Sequence, residues 1–420
     1  METHYHAIHR LSSQIVQQET NITILVMPAK VKSEDFQKYV DQNHVHLIPG
    51  GRSFFDLMKQ LIEESKEIIH LQTYIFVEDE TGQMIIDALK QAAKRKVKIY
   101  FLIDGYASQG VSSEFIEDLT NCGINFRFFE PLFRSKYYYF GRRLHHKILV
   151  VDTQHALVGG INISNNYNDF PNKPAWFDFA IHAEGEIVLQ LCTLCWKTWL
   201  GFPRQIARIP CDAKPGNINK SSSEPTSVRM RRNDWVRKKN EVSKSYFELF
   251  QNASHDILLI SSYFLPGNKF KKSLTDAVKR GVRVRIVLAG ISDVPVAKQA
   301  ERHMYRWLFK NNIEIYEFNP TILHAKLAVC DSKWLTIGSY NLNNISAFAS
   351  IELNLDIKNE AFVRSTLNLL DITILEKCTR ITESQFKAKN HFFQRVLQEL
   401  SYQTIRILLF VFTFYFKQQE

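Results

Sequence analysis

The chain has 420 residues and a formal charge of +10, from 53 Lys and Arg against 43 Asp and Glu. Apolar residues make up 45% and charged residues 23%, an ordinary globular balance that excludes wholesale disorder and fibrous repeats, and the length allows two or three domains. The basic excess points to anionic partners (nucleic acid, anionic lipid or a phosphate-bearing substrate) without choosing among them.

The opening residues, METHYHAIHRLSSQ, lack the apolar core of a secretory leader, so none is expected. A buried-strand pattern, IIHLQTYIF, follows at 68–76. An amphipathic helix, a basic turn and an alternating apolar strand occupy DALKQAAKRKVKIYFLIDG at 87–105. Next come a helix over Ser113–Asn121 and a short strand, INFRFFE, at 124–130. The segment at 131–147 interleaves Phe133, Tyr137, Tyr138, Tyr139 and Phe140 with Arg134, Lys136, Arg142 and Arg143, a composition suited to anionic headgroups or to single-stranded nucleic acid. LHHKILVVD at 144–152 reads as a strand leading into a glycine-containing turn. An apolar helix is expected from Ile187 to Leu200.

That helix carries the one C-x-x-C, Cys192 and Cys195, which core packing explains better than metal or redox chemistry. With Cys122, Cys211, Cys330 and Cys378 the cysteines are too sparse for a disulfide scaffold and suit a reducing compartment. Residues 211–227 read as an exposed linker, and the basic run Arg229, Arg231, Arg232, Arg237, Lys238 and Lys239 as either a solvated face or a headgroup or substrate contact.

Beyond the linker the order repeats. ILLISSYFL (257–265), DAVKRGVRVRIVLAG (276–290), a helix over Ala297–Asn311, IEIYEFN (313–319) and LHAKLAVCD (323–331) match the first half at a period of roughly 180 residues. Each half therefore reads β-α-β-α-β followed by a hairpin, an α/β pattern with a mixed, mostly parallel sheet flanked by helices. The expected boundaries are an N-terminal extension at 1–45, halves at 46–205 and 241–385, a linker and basic run at 206–240, and a C-terminal tail at 386–420. Ile407–Phe416 is the longest apolar run, ten residues against the ~20 needed to span a bilayer. With Phe392, Phe393, Val396, Leu397 and Leu400 at helical spacing before it, the tail reads as a helix docked on the core, the other reading being a helix in a membrane interface.

Each half also holds His-x-Lys, four residues, Asp, six residues and Gly-(Gly/Ser)-x-Asn: His145, Lys147, Asp152, Gly159, Gly160 and Asn162, then His324, Lys326, Asp331, Gly338, Ser339 and Asn341. His and Lys two apart share one strand face. Two such sets across a pseudo-two-fold would place two histidines, two lysines and two asparagines around one pocket, a constellation for a phosphate.

The duplicated motif resembles that of the phospholipase D superfamily, over roughly residues 45–385. The segments 72–108, 142–167, 261–290 and 323–343 are similar to bacterial cardiolipin synthases. Lys96 departs from that pattern where the first half usually has Gly, as does Asn343-Asn344 where an Arg is common, and N-terminal spanning helices are absent. The resemblance implies two phospholipase D-like halves sharing one active site at their interface, with metal-independent transfer and no cofactor. The implied catalytic residues are His145, Lys147, Asp152, His324, Lys326 and Asp331, the two aspartates with a more structural part at strand ends. His145 is the implied nucleophile and His324 the general acid. Asn162, Asn341, Gly160 and Ser339 would hold the phosphate, and a carboxylate downstream of each motif, Asp178 in the first half and Glu352 in the second, would orient a histidine. His146 and His155 are expected to pack or lie exposed, and His182 has no motif partner. The implied activity is phosphatidyl transfer of the cardiolipin synthase type through a phosphohistidine, from one phosphatidylglycerol to a second or a related alcohol, with release of glycerol. The alternative is a phosphodiesterase acting on phospholipid or nucleic acid. Expected partners are an anionic phospholipid and a membrane surface, with no obligate protein partner and nucleic acid demoted. The expected location is peripheral, on the cytoplasmic side of a bacterial membrane.

Overall fold

A computed structural model of the chain describes residues 38–131, 142–202, 211, 225–343 and 350–417. The first half contributes β1 (Asn43–Pro49), α1 (Arg52–Glu64), β2 (Ile68–Thr73), α2 (Glu80–Lys94), β3 (Lys98–Asp104), α3 (Ser113–Asn121), β4 (Asn125–Phe129), β5 (Arg143–Leu144), β6 (Lys147–Val151), β7 (His155–Gly159), β8 (Phe179–Gly185) and α4 (Glu186–Trp199). The second contributes β9 (Ser227–Asp234), β10 (Lys239–Asn240), α5 (Glu241–Asn252), β11 (Asp256–Ser261), α6 (Asn268–Lys279), β12 (Arg283–Ala289), α7 (Pro295–Lys310), β13 (Glu314–Phe318), β14 (Leu327–Cys330), β15 (Trp334–Gly338), β16 (Ser350–Lys358), α8 (Glu360–Lys377), β17 (Cys378–Ile381) and α9 (Glu383–Lys389). The helix α10 (Phe392–Lys417) follows. Side-chain caps start several helices: Asp79 accepts from Gly82 N, Ser112 from Phe115 N and Asn359 from Phe362 N.

The strand orders are β1-β8-β7-β6-β2-β3-β4 and β10-β9-β16-β15-β14-β11-β12-β13-β17, with β5 of the first half pairing to β16 of the second. The duplication extends to register: Ile69 faces Val151 across β2 and β6, as Ile257 faces Cys330 across β11 and β14. Along the main path of each sheet the pairing is parallel only through β2-β3-β4 and β11-β12-β13, and the crossing β5-β16 pair is parallel too. The motif hairpins and the strands beyond them pair antiparallel, so the expected mostly parallel character is confined to three strands in each half. The hairpin follows from local chemistry: Asp152-Thr153 and Asp331-Ser332 are left-handed at both positions, and Gln154 N and Lys333 N close each turn on the carbonyls of Val151 and Cys330.

Period-two alternation sorts the strand residues between cores. Ile69 and Leu71 face α1, α2 and α3, and Ile257 and Leu259 face α5, α6 and α7. The opposite faces meet in a shared core between the sheets, where Ile148, Val150 and Ile181 join Leu327, Val329 and Ile337 along with α4 and α8. One joint core makes the halves a single unit and fixes the relative position of the two motifs.

Asp152 and Asp331 stand at the far ends of the motif strands from the histidines. Asp152 accepts from Lys66, Glu67 and Ile68 N, and Asp331 from Ser254, His255 and Asp256 N. They pin the entrances of β2 and β11, a structural part at the strand ends. Asp152→Ala should leave three backbone donors unpaired and cost about 1–3 kcal/mol, read as a lower denaturant midpoint with unchanged KM.

Three expectations change on the structure. The basic run is neither a solvated face nor a headgroup contact for its leading residues: β9 is a sheet strand, Arg229 pairs with Asp356 and Glu248, and Arg231 with Glu248, Asp356 and Ser245. That strand, Ser227–Asp234, lies within the stretch read as linker and basic run. Arg142 pairs with Asp234 and Glu130, and Arg143 with Asp104, so these two fasten the fold rather than a ligand; residues 132–141 of that strip lie outside the described residues. Cys192 is joined to Cys211 in a disulfide, against the expectation of a core cysteine in a reducing compartment, while Cys195 remains a buried thiol. Lys96, where the first half departs from Gly, has φ 70°, a left-handed turn that its counterpart Gly281 (φ 92°) adopts without a Cβ penalty.

Candidate active site

The two motif strands present His145 and His324 at the seam between the halves, and each histidine is held from the other side. His145 N donates to Ile351 O (3.0 Å), and its Nδ1 lies 2.8 Å from Glu352 Oε2. His324 N donates to Phe177 O (2.8 Å), and its Nδ1 lies 2.6 Å from Asp178 Oδ2. In both cases the residue preceding the carboxylate binds the backbone and the carboxylate binds the ring. The wiring is crossed: Glu352, downstream of His324, serves His145, and Asp178, downstream of His145, serves His324. The sequence named Asp178 and Glu352 as histidine-orienting without saying which ring each meets, and the pairing is crossed because the carboxylate strands β8 and β16 meet the opposite motif across the shared core.

A carboxylate on Nδ1 accepts that nitrogen's proton and leaves the Nε2 lone pair for chemistry. The surroundings of the two Nε2 atoms differ. Tyr167 OH stands 3.3 Å from His324 Nε2 and receives Asn162 Nδ2 at 2.8 Å, with the Tyr167 and His324 rings edge to face. Trp176 packs against both. Among the described residues His145 Nε2 has no hydrogen-bond partner; the ring meets Tyr74 edge on. Tyr167 escaped the sequence reading because one tyrosine in a loop carries no spacing signal.

The remaining motif residues gather here as expected, with roles partly redistributed. Lys147 Nζ lies over the Tyr74 ring and donates to His145 O, and Lys326 Nζ lies 2.9 Å from His324 Nδ1. Asn162 spends its oxygen on Ile75 N and its amide on Tyr167, and Asn341 accepts from Ser262. Ser339 donates to Glu352, so it steadies the carboxylate. Its counterpart Gly160 must be small: a Cβ there would meet the Asp178 carboxylate at 2.4 Å. Glu352 Oε1 is buried without a partner beside these groups. His146 points away and bonds Gln72 Oε1, while His155 and His182 stack on the sheet surface. Among the described residues no group of three His, Cys, Asp or Glu side chains is arranged to hold a metal ion.

Burial dominates the electrostatics. It lowers His145, partly offset by Glu352, and it lowers His324 well below the usual imidazole range, with Lys326 and Lys147 adding to the fall. Both rings are therefore neutral in the empty site. Burial also raises Asp178 to about 7 and drives Lys147 down to about 7 and Lys326 to about 8. An amine is charged below its pKa, so the pocket's positive charge drains as pH rises through 7 to 8. A bound phosphodiester anion pushes both lysines back up. The expected outcome is a kcat/KM that declines above pH 7–8 while kcat stays flatter, read from initial rates on a soluble phosphodiester.

Comparison with known proteins matches this architecture. A family model described as "Cardiolipin synthase, PLD-like domain" matches residues 58–172 and 246–371. Cardiolipin synthase B of Escherichia coli (strain K12) is 29% identical over 351 residues, covering 81% of this chain and 83% of the relative. Cardiolipin synthase 1 of Bacillus anthracis is 26% identical over 368 residues, covering 85% of this chain and 71% of the relative. Among solved structures, phosphatidylserine synthase of Haemophilus influenzae Rd KW20 superposes with a TM-score of 0.69 at 15% identity, covering 89% of this chain and 96% of that one. Polyphosphate kinase of Porphyromonas gingivalis gives a TM-score of 0.56 at 16% identity, covering 86% and 53%. These two likenesses bear on the fold.

Proposed function

Since the chain belongs to the phospholipase D-like cardiolipin synthase family, we propose that it is a phosphatidyltransferase that builds cardiolipin from two molecules of phosphatidylglycerol. The observation that carries the reading is the crossed pair of carboxylate–histidine contacts, which sets two neutral imidazoles with opposed carboxylate supports at one seam.

In the first step His145 Nε2 attacks the phosphodiester phosphorus. The bond from phosphorus to the glycerol oxygen breaks, and His324 Nε2–H gives that oxygen its proton. The product is glycerol and a phosphatidyl group on His145. In the second step His324 Nε2 takes the proton from a hydroxyl of another phosphatidylglycerol. The resulting oxygen attacks phosphorus, the N–P bond breaks, and cardiolipin leaves. Assignment of His145 as nucleophile is supported by its unengaged Nε2, and of His324 as acid and base by the Tyr167 hydroxyl at its Nε2, already placed where a proton is exchanged. The substrate's negative charge offsets the burial and the lysines that keep His324 unprotonated, so binding loads the acid. Lys147 and Lys326 hold the phosphate oxygens, and Asn162 holds the Tyr167 hydroxyl beside them.

Among the described residues no helix is long and apolar enough to cross a membrane, and the proposed substrates lie in one, so the enzyme works from the bilayer surface. We place it on the cytoplasmic side. The Cys192–Cys211 disulfide seen in the structure counts against that side, so the placement requires the two thiols to be reduced in freshly isolated protein, and an oxidised bond would put the enzyme on the other face.

The test is incubation with phosphatidylglycerol vesicles. Cardiolipin and glycerol in equal amounts support the proposal. Phosphatidic acid in place of cardiolipin would make the protein a hydrolase, and cleavage of DNA without lipid turnover would remove it from lipid chemistry.

A further inference from the structure

The helix α10 is amphipathic in the wrong sense for a docked helix. Its side against α7 is polar: His303 stacks on Tyr402 at 4.4 Å with Nδ1 3.2 Å from Glu399 Oε2, and Gln398 and Ser401 are buried. Gln398 also exchanges two hydrogen bonds with Asn390. Its outward side is apolar. Phe393 is 84% exposed, Leu397 51%, Leu400 60% and Ile407 62%, with Phe392 at 71% at the start. Phe393, Leu397, Leu400 and Ile407 fall at helical spacing on one stripe. The sequence then runs from Ile407 to Phe416 with no charged residue. The sequence expectation of a helix docked on the core is right about its position and reversed about its apolar face. A contiguous exposed apolar stripe of this length signals a partner.

We infer that α10 anchors the enzyme to an anionic phospholipid bilayer, lying in the interface with the Phe393–Leu397–Leu400–Ile407 stripe in the acyl boundary. Three observations select lipid. Gln394, Arg395, Glu399, Gln403 and Arg406 interrupt the apolar run, so the helix suits an interface and not a span. Basic side chains sit close by in sequence, Lys387 and Lys389 on α9 and Arg395 and Arg406 on the polar side of α10 opposite the stripe, in a chain of net charge +10, so the surface is an anionic one. The proposed substrates are themselves anionic phospholipids, and the inference rests on that reading for the identity of the surface.

The test is flotation of the full chain with phosphatidylglycerol/phosphatidylethanolamine vesicles, beside the triple variant Phe393→Ser, Leu397→Ser, Leu400→Ser. These side chains are exposed, so the variant should melt with the parent. We expect vesicle affinity to drop at least tenfold while turnover of monomeric short-chain phosphatidylglycerol stays within twofold. Equal vesicle binding by parent and variant would overturn the inference. So would a parent dimer, seen by sedimentation, that the variant converts to monomer without change in vesicle binding. Vesicle binding that depends on the stripe, in a protein that turns over neither lipid, would sink the proposed function and leave the anchor standing.

Discussion

His145→Ala should abolish transfer and covalent-intermediate formation together, whatever the leaving group. No other described side chain at the seam offers an unprotonated nitrogen that is both oriented by a carboxylate and free at its second position. His324→Ala should behave differently. With phosphatidylglycerol the alkoxide of glycerol is a poor leaving group, and loss of its proton donor should cost roughly 10²–10⁴-fold in kcat. With a phosphatidyl p-nitrophenyl ester the leaving group needs no proton. His324→Ala should then release one equivalent of nitrophenolate per enzyme in a burst and stall, because the second step lacks its base. His145→Ala should give no burst. Stopped-flow absorbance measures both, and a burst from His145→Ala would reverse the assignment.

The crossed carboxylates give the second large effect. Glu352 Oε2 meets His145 Nδ1 and Asp178 Oδ2 meets His324 Nδ1, so Glu352→Gln should share the phenotype of the His145 variant and Asp178→Asn that of the His324 variant. Replacing a histidine-orienting carboxylate by its amide removes the charge that stabilises the imidazolium and can flip the tautomer, a loss of roughly 10²–10⁴-fold. On the nitrophenyl ester Asp178→Asn should retain the burst and Glu352→Gln should lose it. Each carboxylate lies downstream of the other histidine in sequence, so a reading by proximity along the chain predicts the opposite pair. The outcome therefore tests the structure separately from the motif.

The contrast marks what the sequence can carry. The duplication was legible because strand period and motif spacing are local: His and Lys two apart must share a face, and Asp five residues after Lys must end the strand. The exchange of carboxylates was not, because it depends on how β8 and β16 cross between the halves in the shared core. The sheet's parallel character was overread because α/β alternation is visible along the chain while the antiparallel strands add four pairings in the first half and six in the second. Arg229 and Arg231 looked like a solvated run because their partners, Asp356 and Glu248, are distant in sequence or on a helix of unknown facing. The helical spacing of the C-terminal tail was legible, and the direction of its apolar stripe was not, since periodicity does not say which face meets the protein. Tyr167 shows the same limit at a single residue.

The proposed reaction passes through a phosphatidyl group carried on one histidine. Rapid acid or base quench of the His324→Ala variant with the nitrophenyl ester, followed by peptide mapping under alkaline conditions that preserve phosphohistidine, tests it most directly. The expected result is a stoichiometric base-stable, acid-labile adduct on the peptide containing His145. An adduct on any other residue, or turnover of the ester with no adduct in either quench, would contradict it.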